Sequence, residues 1–334
     1  MERQQAAFKR DVGVVVIGRN EGERLMLCLA SVRHSNVTVI YVDSGSTDGS
    51  PERARATGVE VVALDMSVPF TAARARNAGF NRLRELAPQS TYVQFVDGDC
   101  ELIEGWLVLA QSYLEERPEV ACVCGRLRER HPERSVYNRL CDVEWNRPTG
   151  PTDACGGIFM MRCAVFERLG GFREDMVAGE EPELCLRVRQ HGDVIWRLPD
   201  PMAWHDADML RFGQWWKCSQ RVGFGFAQSL WLQGYRGERA AFRRCASAWL
   251  WALGPPMAAV GGAIVWGLPA LWVLLVYPAN VLRLALRTPG SWQVRFEHAA
   301  FLVMSRFPEL LGQWQFIVHQ RQAAAAPPSF DYKS

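Results

Sequence analysis

The first hundred residues alternate between two patterns of apolar and polar positions. Continuous apolar runs rich in β-branched residues predict four buried strands, at residues 11–18, 37–42, 59–64 and 92–96. Between them, helical spacing predicts helices within residues 21–32, 48–58 and 71–86, the first with Leu25, Cys28, Leu29 and Val32 on one face. This alternation predicts an α/β fold in which helices flank a mostly parallel sheet.

The pattern changes towards the C-terminus. Residues 246–282 contain no charged residue and no histidine. A bilayer span needs about 20 apolar residues, so this stretch is long for one span and short for two. We expect a hydrophobic helical hairpin, embedded in a membrane or lying at its interface, with an early break at Gly254, Pro255 and Pro256. The alternative is a buried helical subdomain of a soluble enzyme.

These patterns predict four segments. Residues 1–240 form the α/β domain, and residues 241–290 form the hydrophobic hairpin. Residues 291–322 form a cationic amphipathic helix that suits a membrane surface, and residues 323–334 form a flexible tail. Arginines flank the apolar stretch on both sides, which favours both ends on the cytoplasmic face. The predicted location is therefore the cytoplasmic membrane, with the α/β domain in the cytoplasm.

Charge and cysteine content narrow the partners. The net charge is +2, so no strong positive field indicates nucleic acid as a partner. The ten cysteines include no CxxC pair, which disfavours a zinc ribbon. We expect buried free thiols in a reducing cytoplasm.

Acidic and amide side chains follow three of the predicted strands. Asn20 and Glu21 follow the first, Asp43 ends the second, and Asp97 and Asp99 end the fourth. Ligands of open α/β sheets bind at the carboxyl ends of the strands. Carboxylates gathered there repel one another unless a cation lies among them, and Mg²⁺ held by one or two carboxylates and phosphate oxygens fits that need.

Other residues carry weaker signals. Arg76 could bind a diphosphate bidentately, through two of its guanidinium nitrogens. Gly156 and Gly157 allow a close approach to the backbone, and we place the acceptor or sugar pocket there. Glu180 and Glu181 begin a predicted helix, where acidic residues can also simply offset the helix dipole. His205 follows a predicted strand, although a single histidine is more often structural.

Taken together, the motifs resemble inverting glycosyltransferases of family 2, which have the GT-A fold. The resemblance covers residues 12–210 and rests on "VVVIGRNEGERL", "VIYVDSGSTDGS", "ARARNAGF", "VDGDCE", "GGIFMMRCAVFERLGGF" and "GEEPELCLRVRQHG", in the family's order. The apolar C-terminal region is similar to that of membrane-associated bacterial members.

The resemblance implies a role for each candidate residue. Asn20, Glu21, Asp43 and Arg76 would contact the nucleotide of the donor. Asp97 and Asp99 would form a DxD pair that joins Mg²⁺ or Mn²⁺ to the donor diphosphate, with His205 as a further metal ligand. Glu181 takes the position of the catalytic base, and Glu180 is the second choice because the family usually has Glu-Asp here.

The predicted activity is the transfer of one sugar, with inversion, from a nucleoside-diphosphate sugar to a hydroxyl of a lipid-linked or glycan acceptor. UDP is the default nucleotide, and the setting is cell-envelope polysaccharide synthesis at the membrane. One alternative is a membrane-attached protein that binds nucleotide sugars without turnover. A nucleotidyltransferase is a further alternative, but the loop "GRNEGE" is too acidic for a triphosphate.

Overall fold

The computed structural model describes residues 11–33, 37–237 and 239–322. The predicted tail at 323–334 therefore lies outside the described residues. The chain divides into two compact units. Among the described residues, the first contains 11–130, 144–176 and 180–207, and the second contains 131–143, 177–179 and 208–322. The functional limits predicted at residues 240, 290 and 322 stay predictions.

The first unit is built on one mixed sheet. Its strands are β1 (Val12–Gly18), β2 (Thr38–Asp43), β3 (Glu60–Ala63), β4 (Tyr92–Asp97), β5 (Cys100–Leu102), β6 (Val120–Glu129), β7 (Gly150–Pro151), β8 (Phe159–Arg162) and β9 (Val194–His205). Their order is β3-β2-β1-β4-β8-β6-β9-β5, with β7 paired to β9. The four strands predicted from the apolar runs are β1 to β4.

The sheet is parallel in the part that the sequence pattern covers. Strands β3, β2, β1 and β4 pair in parallel, as do β6 and β9, whereas β8 runs antiparallel to both β4 and β6. Strands β5 and β7 are antiparallel to β9. The α/β class is confirmed, but "mostly parallel" describes only the first hundred residues. Beyond them, β6 and β9 form a parallel pair, and the other pairs are antiparallel.

Helices cover this sheet. They are α1 (Glu23–Val32), α2 (Ser50–Ala56), α3 (Ala72–Leu86), α4 (Trp106–Glu116), α6 (Cys163–Arg168) and α7 (Glu180–Gln190). Helix α5 (Val136–Trp145) belongs mostly to the second unit. The face predicted for α1 is the one that is buried. Helix α3 lies very close to the sheet at Gly79, where a Cβ atom would come within 2.4 Å of Val15 and 2.9 Å of Val42. This contact holds α3 and its arginine, Arg76, against the parallel strands.

The second unit is helical in its longest segment. It contains α8 (Phe212–Gly237), α9 (Arg239–Trp266), a 3₁₀ helix (Leu268–Leu275), α10 (Val276–Ala285), α11 (Trp292–Met304) and α12 (Arg306–Arg321). Helix α8 contains a kink at Gly234, where φ is 68°. Residues 291–322, predicted as one amphipathic helix, thus form α11 and α12. Pro308 explains the interruption, because it has no N–H to donate to the carbonyl four residues earlier.

The expected break at Gly254, Pro255 and Pro256 is wrong, because α9 continues through these residues to Trp266. Pro255 cannot donate to the carbonyl of Trp251, four residues earlier. The Tyr277 hydroxyl donates to that carbonyl instead, at 2.6 Å. The helix ends at Gly267, where φ is 77°. A side chain from the second arm of the hairpin therefore satisfies a backbone group that proline leaves without its helical donor.

Two stretches of this unit, Ala241–Trp266 and Leu268–Ala285, are long and apolar enough to cross a membrane by length and composition. Many of their apolar side chains are exposed in the chain alone. Ile264 is 81% exposed, Leu268 77% and Trp266 76%. Exposed apolar surface of this extent is typical of a surface that meets another apolar phase. This weakly favours membrane association.

Candidate active site

Three parallel strands end side by side at one edge of the sheet. The register pairs Gly18 with Asp43 on β2 and Ile17 with Asp97 on β4. The loops that follow these strands therefore start from the same edge. Gly98 continues the close packing, because a Cβ atom there would lie 3.1 Å from the carbonyl oxygen of Ile17 and 3.3 Å from the Glu21 side chain.

The loops after β1 and β2 are bound to each other. Asn20 has a left-handed backbone, with φ at 56°. Its N–H donates to Ser46 Oγ at 2.9 Å, and its side-chain oxygen accepts from the Thr47 N–H at 2.7 Å. Gly22 N–H donates to Asp48 Oδ2 at 3.0 Å. Asparagine suits position 20 because its short side chain both tolerates this backbone conformation and accepts the hydrogen bond.

Asp43 organises its own loop. One carboxylate oxygen accepts from the Gly45 and Ser46 N–H groups, both at 3.0 Å, and the other accepts from the Tyr41 hydroxyl at 3.0 Å. Asp43 is buried. Burial and the neighbouring Asp43 charge raise the pKa of Tyr41 well above its usual value, so this hydroxyl stays a donor.

Glu21 is also buried, and its Oε2 lies 2.9 Å from a guanidinium nitrogen of Arg24. Arg24 in turn donates to the backbone carbonyl of Asp206 at 3.3 Å. The Glu21 carboxylate and the Arg24 guanidinium therefore connect the loop after β1 to the residue that follows β9.

Arg76 lies between two carboxylates. One of its terminal nitrogens donates to Glu180 Oε1 at 2.6 Å, and the other donates to Asp97 Oδ1 at 2.8 Å. The Arg76 side chain is only 3% exposed, compared with 10% for Glu180 and 34% for Asp97. Burial by itself lowers the pKa of Arg76, but the Asp97 and Glu180 charges outweigh it and raise this pKa, so the guanidinium is always charged. Asp97 is thus the member of this network that faces solvent most.

The two predicted pocket glycines differ in what surrounds them. Both have positive φ, 98° at Gly156 and 89° at Gly157. A Cβ atom on Gly157 would lie 3.3 Å from an Arg76 nitrogen and 3.5 Å from Asp97 Oδ2, whereas one on Gly156 would meet nothing within 4 Å. Gly157 therefore lies directly against the Arg76–Asp97 pair.

Asp99 and His205 meet at the junction of β5 and β9. Strand pairing places Cys100 opposite His205, and His205 Nε2 lies 3.5 Å from Asp99 Oδ1. On the other side of the ring, Nδ1 lies 3.8 Å from Oε2 of the buried Glu129. The Trp145 ring packs edge-on against the imidazole, with ring centroids 4.6 Å apart. His205 is the last residue of β9 rather than a residue of the loop after it.

The donor atoms here suit a divalent cation. Ligand atoms of Asp99, Cys100 and His205 all lie within 4.8 Å of one another. Asp206 follows His205 in the sequence, and its Oδ1 atom is buried without a hydrogen-bond partner among the described residues. Carboxylate oxygens with an imidazole nitrogen form a donor set that Mn²⁺ accepts. The residues present therefore fit a metal at this edge.

Glu181 points into the protein interior. Its Oε1 accepts from the Cys155 N–H at 2.6 Å and from the Cys185 thiol at 2.9 Å. The residue is 4% exposed. Of the two glutamates that begin α7, only Glu180 contacts Arg76 among the contacts that the structure describes.

Sequence reasoning missed two residues that shape this site. Glu129 ends β6 and Trp145 ends α5, and both flank His205. Neither lies in a motif, and the pairing of Glu129 with His205 depends on the register of β6 and β9. The alternation of β6 would at most have indicated which of its side chains share a face.

The chain is similar to known glycosyltransferases. Residues 13–170 match the family model described as Glycosyl transferase family 2. The chain is 25% identical over 255 residues to the glycosyltransferase AglE of Haloferax volcanii, and the match covers 72% of this chain and 80% of that protein. It is 32% identical over 143 residues to a TPR repeat-containing protein of Synechococcus elongatus, covering 42% of this chain and 33% of that protein. The chain thus spans about a third of this second relative.

Among solved structures, the fold is similar to that of the mannosyltransferase PcManGT from Pyrobaculum calidifontis in complex with GDP-Man and Mn²⁺. The TM-score is 0.60 at 20% identity, over 91% of this chain and 88% of that one. At this identity the likeness establishes the fold, which is GT-A.

Proposed function

We propose that the chain is a glycosyltransferase of family 2, the family whose model matches residues 13–170, and that it transfers one sugar from a nucleoside-diphosphate sugar to an acceptor hydroxyl, with inversion. The observation that carries this proposal is the Glu180–Arg76–Asp97 network at the carboxyl edge of β4. It brings a cation and two carboxylates from three distant segments to the edge where α/β sheets bind ligands.

The donor binds at the edge formed by the loops after β1, β2 and β4. Asn20 and Asp43 contribute by fixing the shape of the first two loops, since their polar atoms already bond to Ser46, Thr47 and Gly45. Glu21 supports the same edge through Arg24. We keep UDP as the default nucleotide. GDP-mannose is tested beside it because the solved structure of similar fold contains that donor.

Asp97, Asp99 and His205 would hold a divalent metal, Mg²⁺ or Mn²⁺. When bound, such a metal acts as a Lewis acid that stabilises the charge of the leaving nucleoside diphosphate. Arg76 orients the Asp97 carboxylate at this edge, through the bond at 2.8 Å. Glu129 and Trp145 restrict the orientation of the His205 ring.

Glu180 is the better placed general base. The proton of the acceptor hydroxyl must reach a carboxylate as the oxygen attacks the sugar from the face opposite the leaving group. Glu180 shares Arg76 with Asp97, the more exposed carboxylate of this edge, whereas the described contacts of Glu181 are with Cys155 and Cys185. By family position the role falls to Glu181, so the two residues require a direct comparison.

The test is nucleoside diphosphate release by the full chain in detergent, with Mn²⁺, a membrane lipid extract and a panel of UDP, GDP and dTDP sugars. We expect Glu180→Gln to lower kcat by about 10²- to 10⁴-fold, the usual size of a general-base contribution. Glu167→Gln is the matched control, because Glu167 forms a half-exposed ion pair with Arg84. Loss of turnover in Glu181→Gln with activity retained in Glu180→Gln would assign the base to Glu181.

Two other results would overturn the proposal. Donor binding without turnover, unchanged in Asp99→Asn, would mean a nucleotide-sugar binding protein. Absence of both binding and turnover with every donor would exclude the family's activity in this chain.

We further propose that the acceptor, lipid-linked or a glycan, is presented at the cytoplasmic face of a membrane to which α9, the 3₁₀ helix and α10 attach. The support is the exposed apolar surface of Ile264, Trp266 and Leu268. Carbonate extraction of membranes should leave the chain in the pellet. Ile264→Asp combined with Leu268→Asp should release it, whereas Trp292→Asp, which changes an exposed residue at the start of α11, should not. Full release of the unmodified chain would contradict membrane embedding.

A further inference from the structure

Four buried cysteines of the first unit are separate from the residues Asp97, Asp99 and His205 that were proposed to hold the catalytic metal. Cys122 and Cys124 lie two positions apart on β6, so their side chains share one face of the sheet. Cys155 precedes β8, and Cys185 lies on α7. All four are at most 4% exposed. Such buried thiols come from three separate segments of the chain and meet only through the fold.

Short distances connect three of the four thiols. Cys122 Sγ lies 3.3 Å from Cys155 Sγ. The ligand atoms of Cys155, Cys185 and Glu181 lie within 4.8 Å of one another. Cys155 Sγ is thus close to the sulfurs of both Cys122 and Cys185, and Cys124 shares the face of β6 that carries Cys122. In a tetrahedral zinc site with Zn–S bonds of about 2.3 Å, sulfur atoms are about 3.8 Å apart.

A buried cation lies beside this cluster. Arg197 is 4% exposed, and its guanidinium donates to the backbone carbonyls of Gly125, Ala154 and Cys155 at 2.9 to 3.2 Å. These carbonyls belong to the residues that carry or adjoin the thiols. The positive charge lowers the energy of any negative charge placed on the cluster, and a metal with four thiolates carries a net negative charge.

We propose that Cys122, Cys124, Cys155 and Cys185 bind one Zn²⁺ ion in a closed, structural site. Each thiol gives up its proton to solvent as its sulfur binds, so the complex carries two negative charges and its affinity falls as pH falls. Glu181 lies outside the proposed ligand set. Its Oε1 keeps the hydrogen bond from the Cys155 N–H, and it loses the hydrogen bond from the Cys185 thiol when that thiol gives up its proton. The ion would thereby fix the start of α7, where Glu180 reaches Arg76. No CxxC spacing is required, because β6 supplies two ligands from alternate positions of a strand.

The test begins with the unmodified full chain, produced with zinc in the growth medium and purified under reducing conditions. We expect about one zinc per chain by elemental analysis. Replacement of the zinc by cobalt should produce the intense thiolate-to-cobalt charge-transfer absorption that oxygen and nitrogen ligands do not give. This second measurement needs no variant and therefore does not depend on whether cysteine variants fold.

Variants then locate the site. Cys155→Ser and Cys185→Ser should lower the zinc content at least fivefold. Cys163→Ser is the matched control, since Cys163 is equally buried on α6 and takes no part in the cluster contacts described above. Asp99→Asn should retain zinc, which separates this site from the sheet edge.

Three results would overturn the proposal. The first is an unmodified chain that holds no zinc after zinc is added under reducing conditions. The second is a cobalt-loaded chain without thiolate charge-transfer bands. The third is a cluster found as a Cys122–Cys155 disulfide in the reduced preparation, measured by alkylation and mass spectrometry.

Discussion

Removal of the Arg76 charge should destabilise the protein far more than removal of a surface arginine on the same helix. The Arg76 and Glu180 side chains are 3% and 10% exposed, so their ion pair is buried. Breaking a buried pair by removing one partner costs about 3–5 kcal/mol, because the other charge stays buried. The bond to Asp97 adds only about 0–1 kcal/mol, because Asp97 is 34% exposed and water screens its charge. We therefore expect Arg76→Gln to lower the free energy of unfolding by about 3–5 kcal/mol.

Guanidinium unfolding of the full chain, followed by near-UV circular dichroism, measures this change. The double variant Arg76→Gln with Glu180→Gln removes both charges and should recover about 2 kcal/mol relative to additivity. Arg82→Gln, also on α3, is the control. Its ion-pair partners Glu60 and Glu85 are 39% and 63% exposed, so we expect a change within about 0.5 kcal/mol. Equal losses in Arg76→Gln and Arg82→Gln, or strict additivity of the double variant, would refute the reasoning.

Three further outcomes follow from particular contacts. Gly157→Ala should weaken donor binding more than Gly156→Ala, because both glycines have positive φ but only a Cβ atom at position 157 meets the Arg76–Asp97 pair. Isothermal titration calorimetry with nucleoside diphosphate and Mn²⁺ measures the difference in affinity, and equal effects of the two substitutions would contradict the prediction. Hydrogen bonds from Arg139 lower the pKa of Glu297 below its usual 4.5. The Glu297 carboxylate therefore stabilises the folded state at pH values above its unfolded-state pKa, and this stabilisation is lost as the pH falls through its folded-state pKa. Acid unfolding of Glu297→Gln should accordingly show a weaker loss of stability below about pH 4.5, and an unchanged profile would exclude the contribution. Tyr277→Phe should lower the free energy of unfolding by about 1 kcal/mol, because it removes the hydroxyl that donates at 2.6 Å to the Trp251 carbonyl, which has no helical donor. Thermal or chemical unfolding measures this change, and an unchanged stability would mean that another donor replaces the hydroxyl.

The sequence predicted the strands of the parallel half because local periodicity carries that information. Strands β1 to β4 appear as continuous apolar runs, and the buried face of α1 follows from helical spacing. The order of β8, β6, β9 and β5 could not be predicted in this way. Their pairing joins segments with no fixed alternation between them, so only the packed sheet decides it.

Proline shows the limit of a local rule. Pro255 and Pro256 predicted a break in the apolar stretch, yet α9 continues to Trp266. The rule itself is sound, since the Trp251 carbonyl does lose its helical donor. What changed the outcome is the hydroxyl of Tyr277, which lies 26 residues further along the chain.

The sequence by itself determined that acidic residues end neighbouring parallel strands, because such strands present their carboxyl ends at one edge. It did not determine what those residues contact. Glu180 and Arg76 are 104 residues apart, and adjacent glutamates on α7 face different surroundings. The convergence of four thiols from β6, the segment before β8 and α7 has the same origin. Contacts between distant segments depend on strand register and on the packing of α3 and α7 against the sheet, and only the tertiary structure determines both.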